Sequence, residues 1–358
     1  MLVNDPHLDS VLPGEWYQVR IYYKKEGNKI TIILIYVDDI IIIGNNQETI
    51  NEVKNTFKSK FSMKEMGPLR YFVGMEINYN RELRTLEIHQ QGYIDKILKE
   101  NGMLECSSTR LPLDDPGQLI LAQENDILLQ GEQVTSYRKI IGMVLYLSTC
   151  TRPDISYTVS ILSRFLKAPM TKHMAAAKRL LRYIKGTKEY SLKYDEKGML
   201  EGWCDASWAD DKEDRKSTSG YIITYGGGPI AWKSKKQKSV ALSTVEAEYY
   251  ALAQIGKELI WLKRIMGELG MLDPKEPITV HEDNQGCIKL SKNPVMKERT
   301  KHIDISYHFV RDLVNEGALK LEYCETSKMR ADILTKAVSG ILLLKIAGYL
   351  KLVNEESN

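Results

Sequence analysis

Two adjacent acids, Asp38 and Asp39, stand in IYVDDIIIIG (35–44), between Ile32–Val37 on one side and Ile40–Ile43 on the other. Core packing has no use for two charges there, and a metal-ligand pair at the tip of a β-hairpin has. Four more carboxylates draw notice by placement. Asp205 lies in GWCDASWAD, beside the small residues Ala206 and Ser207, which leave room around it. In LSTVEAEYYAL, Ser243 and Glu246 have the spacing of a capping box, so Glu246 has a structural task. Glu248 has none. It borders the apolar stripe Ala247, Ala251, Ile255, Leu259, Leu262, Met266 and Leu269, where an unpaired charge is costly. Asp283 closes ITVHED just before NQGCIKL, a position that also suits a helix N-cap, and Asp332 in KMRADILTK suits the positive end of a helix. Brought to one edge, Asp205, Glu248, Asp283 and Asp332 would repel one another unless divalent cations lay between them. An all-oxygen ligand set selects Mg²⁺ or Mn²⁺. Two such ions about 4 Å apart activate water and stabilise the leaving oxygen of a phosphodiester.

The elements that must position these groups follow from pattern. Residues 16–23, 29–37 and the run after Asp39 read as strands, placing the acid pair in a tight antiparallel connection. Residues 46–58 read as a helix, 69–79 as a strand, and 91–102 as a helix stopped by Asn101-Gly102. A turn-rich stretch covers 107–133, and helices are predicted over 134–149, 153–167 and 171–186. The pattern then changes. Strands at 191–195, 200–207, 219–225 and 229–235 precede a long helix at 244–269. A strand at 278–282, helices at 284–292 and 302–316, a strand at 318–324 and a helix at 328–338 follow. This order predicts an α/β (α+β) architecture, a mixed sheet with helices on its faces.

With 358 residues and 43% hydrophobic content, the chain can build more than one buried core, and a net charge of +3 does not by itself announce a nucleic-acid binder. Local charge is more telling. Lys172, Lys178, Arg179 and Arg182 fall on one acid-free segment, and Lys233, Lys235 and Lys236 on a second basic knot, as suits phosphate neutralisation. The five scattered cysteines argue against a disulfide framework or a zinc site and for a reducing compartment. No apolar run approaches the roughly 18 residues of a membrane span, and the N-terminus lacks the pattern of a secretory signal.

YVDDIIIIG (36–44), FSMKEMGPLRYFVGMEI (61–77), YRKIIGMVLYLSTCTRPDISY (137–157), LRYIKGT (181–187), DASWADDKEDRKSTSGYI (205–222), STVEAEYYAL (243–252), EDNQGCIKL (282–290), RTKHIDISYHFVR (299–311) and RADILTK (330–336) occur in that order. The set resembles the C-terminal part of a copia-type LTR-retrotransposon Pol polyprotein, reverse transcriptase followed by ribonuclease H. The resemblance implies an RNase H-like domain over 193–340, a mixed five-stranded sheet with flanking helices, that hydrolyses the RNA strand of an RNA–DNA hybrid. Asp205, Glu248, Asp283 and Asp332 would be its ligands for two Mg²⁺ (or Mn²⁺) ions. The basic residues would hold the hybrid's phosphates. The loop CETSKMRAD lacks the histidine that cellular relatives often carry before the last acid; His302 and His308 are not assigned that role.

Asp38 and Asp39 match the palm carboxylates of a reverse transcriptase. Only 37 residues precede Asp38, and Asp5 and Asp9, the only aspartates among them, lack the context of a third palm ligand. The resemblance therefore implies a truncated palm and thumb over 1–110, with Ile40–Ile43 left for another chain to cover. A helical connection would span 111–192 and a tail 341–358. Trp203, Trp208 and Trp232 are expected in the core. The implied partners are the hybrid, no membrane, and the missing polymerase portion or another copy of the chain. The implied location is the cytoplasm, within virus-like particles in the family, or the nucleus. Three readings stay open: an active nuclease, a remnant that binds without cutting, and a portion of a longer Pol polyprotein.

Overall fold

Val, Ile and Tyr dominate residues 19–44, and these pair as three antiparallel strands in the order β1 (Val19–Glu26), β2 (Lys29–Tyr36), β3 (Asp39–Gly44). Tyr36 pairs with Asp39, so Val37 and Asp38 form a two-residue turn, and Val37 takes φ 51°, a region β-branched residues rarely enter. Helix α1 (Gln47–Lys60) follows, its N-cap Asn46 accepting from the Thr49 amide at 2.9 Å; none of its residues is buried. A short strand, β4 (Tyr71–Phe72), comes last before the chain divides. This computed structural model describes residues 19–120, 126–195, 198–292 and 304–352, and the chain splits after Val73 into two compact units. Asp5, Asp9 and His302 lie outside the described residues. The single strand expected over 69–79 is interrupted, because Val73 and Gly74 both take positive φ, 47° and 71°, which no extended strand permits.

The second unit begins with β5 (Met75–Asn80) and β6 (Thr85–His89), an antiparallel hairpin joined by β7 (Leu192–Tyr194). Between them lie α2 (Gln91–Glu100), the short α3 (Pro116–Ile120), α4 (Glu132–Cys150), α5 (Ser156–Ser163) and α6 (Thr171–Gly186). A buried Arg152–Asp154 pair fastens this helical layer. Two guanidinium nitrogens donate to Asp154 at 2.8 and 2.7 Å, a third reaches the Thr187 carbonyl at 3.1 Å, and the Tyr183 hydroxyl donates to Asp154 at 2.8 Å.

The expected mixed five-stranded sheet is present: β8 (Glu201–Ser207), β9 (Thr218–Tyr225), β10 (Gly228–Lys236), β11 (Ile278–Glu282) and β12 (Leu319–Tyr323), ordered β10-β9-β8-β11-β12. β8, β9 and β10 are antiparallel neighbours; β11 runs parallel to both β8 and β12. Helices α7 (Thr244–Glu268), α8 (Gln285–Ser291) and α9 (Asp304–Asn315) complete the order. Both faces are covered. Cys204, Ala206, Tyr221 and Ile223 pack with α7, while Ile222 and Trp232 pack with the helical layer. Strand β9 is accordingly a run of near-continuous burial rather than an alternation.

Two expectations near the C-terminus fail. The helix predicted over 328–338 is instead a pair of 3₁₀ turns, Thr326–Lys328 and Arg330–Leu334. The stretch 341–358, expected as a tail, contains α10 (Gly340–Tyr349), N-capped by Ser339. Its Leu343, Ile346 and Ala347, at helical spacing, are buried in the core of the helical layer, and that burial stabilises a segment too short to hold a helix alone.

Candidate active site: a carboxylate cluster at the strand ends

The parallel register of β8 and β11 sets His281 beside Trp203, so continuing two residues on brings Asp283 beside Asp205 at the carboxyl ends of the strands. Helix α7 starts at the same edge. Its N-cap Ser243 accepts from the Glu246 amide at 3.2 Å, and Glu246 accepts from the Leu242 amide at 2.7 Å, the capping role expected of it. Two residues further along, Glu248 is turned inward. One oxygen from each of Asp205, Glu248 and Asp283 lies within 4.8 Å of the others. Asp205 and Glu248 are buried, and Glu248 Oε2 has no hydrogen-bond partner. Asp283 is half-buried and is not the helix cap. Asn284 caps α8, and Asp283 accepts from the Thr326 hydroxyl at 2.8 Å.

Asp332 is 1% exposed and outside that mutual set, lying against Asp205. The 3₁₀ turn that carries it can approach because β9 has Gly220 opposite Asp205: a Cβ there would sit 2.7 Å from Leu334 Cβ. The Thr335 hydroxyl donates to Asp205, and the Lys336 ammonium stands 2.8 Å from Asp332 Oδ1 and 3.8 Å from Asp205 Oδ2.

Sequence reasoning passed over one further carboxyl. Glu282 is 0% exposed; it accepts from the Asn284 amide at 3.0 Å and from the Cys204 thiol at 3.3 Å. The alternation Ile278, Val280, Glu282 was the signal, since it places Glu282 on the buried face of β11. Lys336, four residues after Asp332, is the other group missed.

Crowding and burial raise every perturbed acid here. Burial, then the neighbouring Glu282, Asp205 and Asp283, lifts Glu248 well above the usual carboxylate range. Burial lifts Glu282 to about 8, and burial with Asp205 lifts Asp332 to about 7. Asp205 is raised by burial and held down in part by Lys336. Burial works to lower the Lys336 ammonium, but Asp205 and Asp332 outweigh it and the net shift is upward. Such a cluster of acids favours whatever positive charge can enter it, whether protons, an ammonium or a cation. The all-oxygen donors and the unpartnered, buried Glu248 oxygen fit a hard divalent ion.

Asp38 and Asp39 are both exposed, and among the described residues no third carboxylate joins them in a cluster. Of the basic residues, Lys178, Lys233 and Lys235 are exposed. Lys172 pairs with Asp126 at 2.6 Å, Arg179 pairs with Asp114, and Arg182 donates to the Ser107 carbonyl at 2.7 Å, so much of the α6 charge fastens neighbouring loops. Lys236 pairs with Asp211 and, at 2.9 Å, with Asp214. Lys233, Lys235, Lys236, Lys238 and Lys257 line an open groove between β10 and α7, with Tyr250, Gln254 and Glu258. Trp203 is buried and Trp232 packs on the core, as expected, but Trp208 is 46% exposed and only its indole nitrogen is tied, to the Ala241 carbonyl at 3.0 Å. Among the described residues no helix is long and apolar enough to cross a membrane.

Residues 15–115 match the family model described as reverse transcriptase (RNA-dependent DNA polymerase). The chain is 40% identical over 324 residues to the retrovirus-related Pol polyprotein from transposon TNT 1-94 of Nicotiana tabacum, covering 89% of this chain and 24% of that one. It therefore spans about a quarter of that polyprotein's length. It is 31% identical to the putative transposon Ty5-1 protein of Saccharomyces cerevisiae, covering 67% of this chain and 77% of that one. Among solved structures it is similar to LC11-RNase H1, isolated from compost by a metagenomic approach, at 16% identity and TM-score 0.31, covering 38% of this chain and 93% of that one. With the family model matched at its N-terminal side and relatives of this kind aligned along most of its length, the chain belongs to the copia-type LTR-retrotransposon Pol family.

Proposed function

We propose that the second unit is a metal-dependent ribonuclease H that hydrolyses the RNA strand of RNA–DNA hybrids. The convergence of Asp205, Glu248 and Asp283 from three separate elements to within 4.8 Å carries the reading. Asp205, Glu248, Asp283 and Asp332 would hold two Mg²⁺ (or Mn²⁺) ions. When bound, those ions supply a water activated for attack and charge stabilisation at the departing 3′-oxygen. The chain's own groups do the rest. Glu248 offers its unpartnered oxygen from a rigid first helical turn. The Thr326 and Thr335 hydroxyls fix the rotamers of Asp283 and Asp205. The Lys233, Lys235, Lys238 and Lys257 groove takes backbone phosphates, a grip that is independent of sequence and weakens with salt. Lys178, also exposed, would add to it at a distance; Lys172, Arg179, Arg182 and Lys236 serve loop anchoring first.

The hairpin acids Asp38 and Asp39, solvated and only two in number, hold no divalent ion by themselves in this reading; RNA-directed polymerisation would need ligands from elsewhere in a Pol assembly. The decisive experiment is cleavage of a labelled RNA–DNA hybrid in Mg²⁺ by the full chain and by Asp283→Asn. Cutting by the parent and its loss in the variant support the reading. A folded parent that binds hybrid and does not cut it refutes it.

A further inference from the structure

The ammonium of Lys336 sits where a cation would. It is 2.8 Å from Asp332 Oδ1 and 3.8 Å from Asp205 Oδ2, at the edge of the three-carboxylate set. Asp332, the acid it grips, is the one candidate ligand outside that set. We infer that Lys336 is a built-in counter-ion, a positioning residue that holds Asp332 against Asp205 and competes with the cation those two acids would share.

Three observations carry this. The first is geometric: an ammonium 2.8 Å from Asp332 Oδ1 occupies the place that a cation coordinated by the same oxygen would take. The second is electrostatic. Asp205, Glu248, Glu282 and Asp332 are all buried within one cluster, and a single positive charge among them relieves repulsion that the low-dielectric surroundings make strong. The third is exposure: Lys336 follows the Arg330–Leu334 turn and its side chain is 40% exposed, which leaves the ammonium an open path to solvent. Lys336 then acts as a threshold. It keeps the cluster folded at low cation concentration and yields at high concentration, when the shared ion displaces it and Asp332 turns inward. The inference rests on reading the cluster as a divalent-cation site.

The test uses the full chain without nucleic acid, as the parent, Lys336→Met, Lys336→Gln and Lys336→Arg. Mg²⁺ binding is measured by calorimetry, and thermal unfolding is followed in EDTA. Removing the ammonium is expected to tighten Mg²⁺ binding about tenfold and to lower Tm in EDTA, and Lys336→Arg is expected to stay near the parent. Parent-like Mg²⁺ affinity in both neutral variants would overturn the inference and leave the nuclease reading standing. A parent that binds no Mg²⁺ at all would overturn both.

Discussion

Two pairs of neighbouring acids meet opposite fates. Asp38-Asp39 follows an apolar β-run and Glu282-Asp283 an alternating one, and by residue type the first pair looks the more deliberate. Yet Asp38 sits exposed in a two-residue hairpin turn and Asp39 exposed at the start of β3, while Glu282 is fully buried and Asp283 meets Asp205 and Glu248. A hairpin tip has only its own two strands to surround it. Asp283 directly follows a strand flanked by parallel neighbours, with a helix start and a glycine-admitted turn closing over the same edge. Chemistry needs several elements to converge, and only the second setting provides them.

The largest effect should come from exchanging an acid in each setting. Asp205→Asn is expected to reduce hybrid cleavage by at least about 100-fold, and Asp39→Asn to leave it unchanged; equal losses, read by single-turnover cleavage, would erase the contrast. Stability should divide the two units next. Arg152→Met leaves Asp154 buried without its partner and is expected to cost about 3–5 kcal/mol in denaturant unfolding, whereas Ile43→Thr, at a site 51% exposed, should stay within about 0.5 kcal/mol.

The acids of the cluster also set a pH dependence. Asp332 and Glu282 keep their protons in the folded chain up to about 7 and about 8, but lose them near 4 when unfolded. The folded state therefore binds more protons across that window, and in EDTA stability should fall as pH rises from about 4 to about 8. Glu282→Gln should flatten the upper part of that decline, and Mg²⁺ should oppose it. A Tm in EDTA that rises with pH over this range would contradict the clustering. The smallest effect belongs to the groove: Lys235→Gln should weaken hybrid binding modestly and reduce the salt slope by about 1, while Lys172→Gln, already paired with Asp126, should leave the slope alone.

Much of this was legible before any coordinates. Enrichment in Ile, Val and Tyr located the strands of the first unit, Gly and Asp turns bounded those of the five-stranded sheet, and Ser243 with Glu246 located the start of α7, while the strand Thr85–His89 went unread. Assigning Glu246 to the helix cap left Glu248 as the candidate of that helix, and its side chain lies beside Asp205 and Asp283. Other features were hidden because they depend on what packs against them. The apolar spacing of α10 gave no sign of which core would receive it, so a buried helix looked like a tail. Basic residues on α6 looked like a phosphate track because a partner such as Asp126, 46 residues away, has no local signature. Trp208 looked like core, since residue type does not say which side of a strand end faces water.

The sequence by itself determined the family, through its ordered motifs, and most of the strands and helices, through residue type and short-range periodicity; it also put Asp205, Glu248, Asp283 and Asp332 forward as candidate cation ligands. Only the tertiary structure decided that Glu282 is buried, that Lys336 stands between Asp205 and Asp332, and that Asp38 and Asp39 stay in water. A carboxylate's charge state and neighbours are set by whichever distant segments close around it, and no local pattern records them.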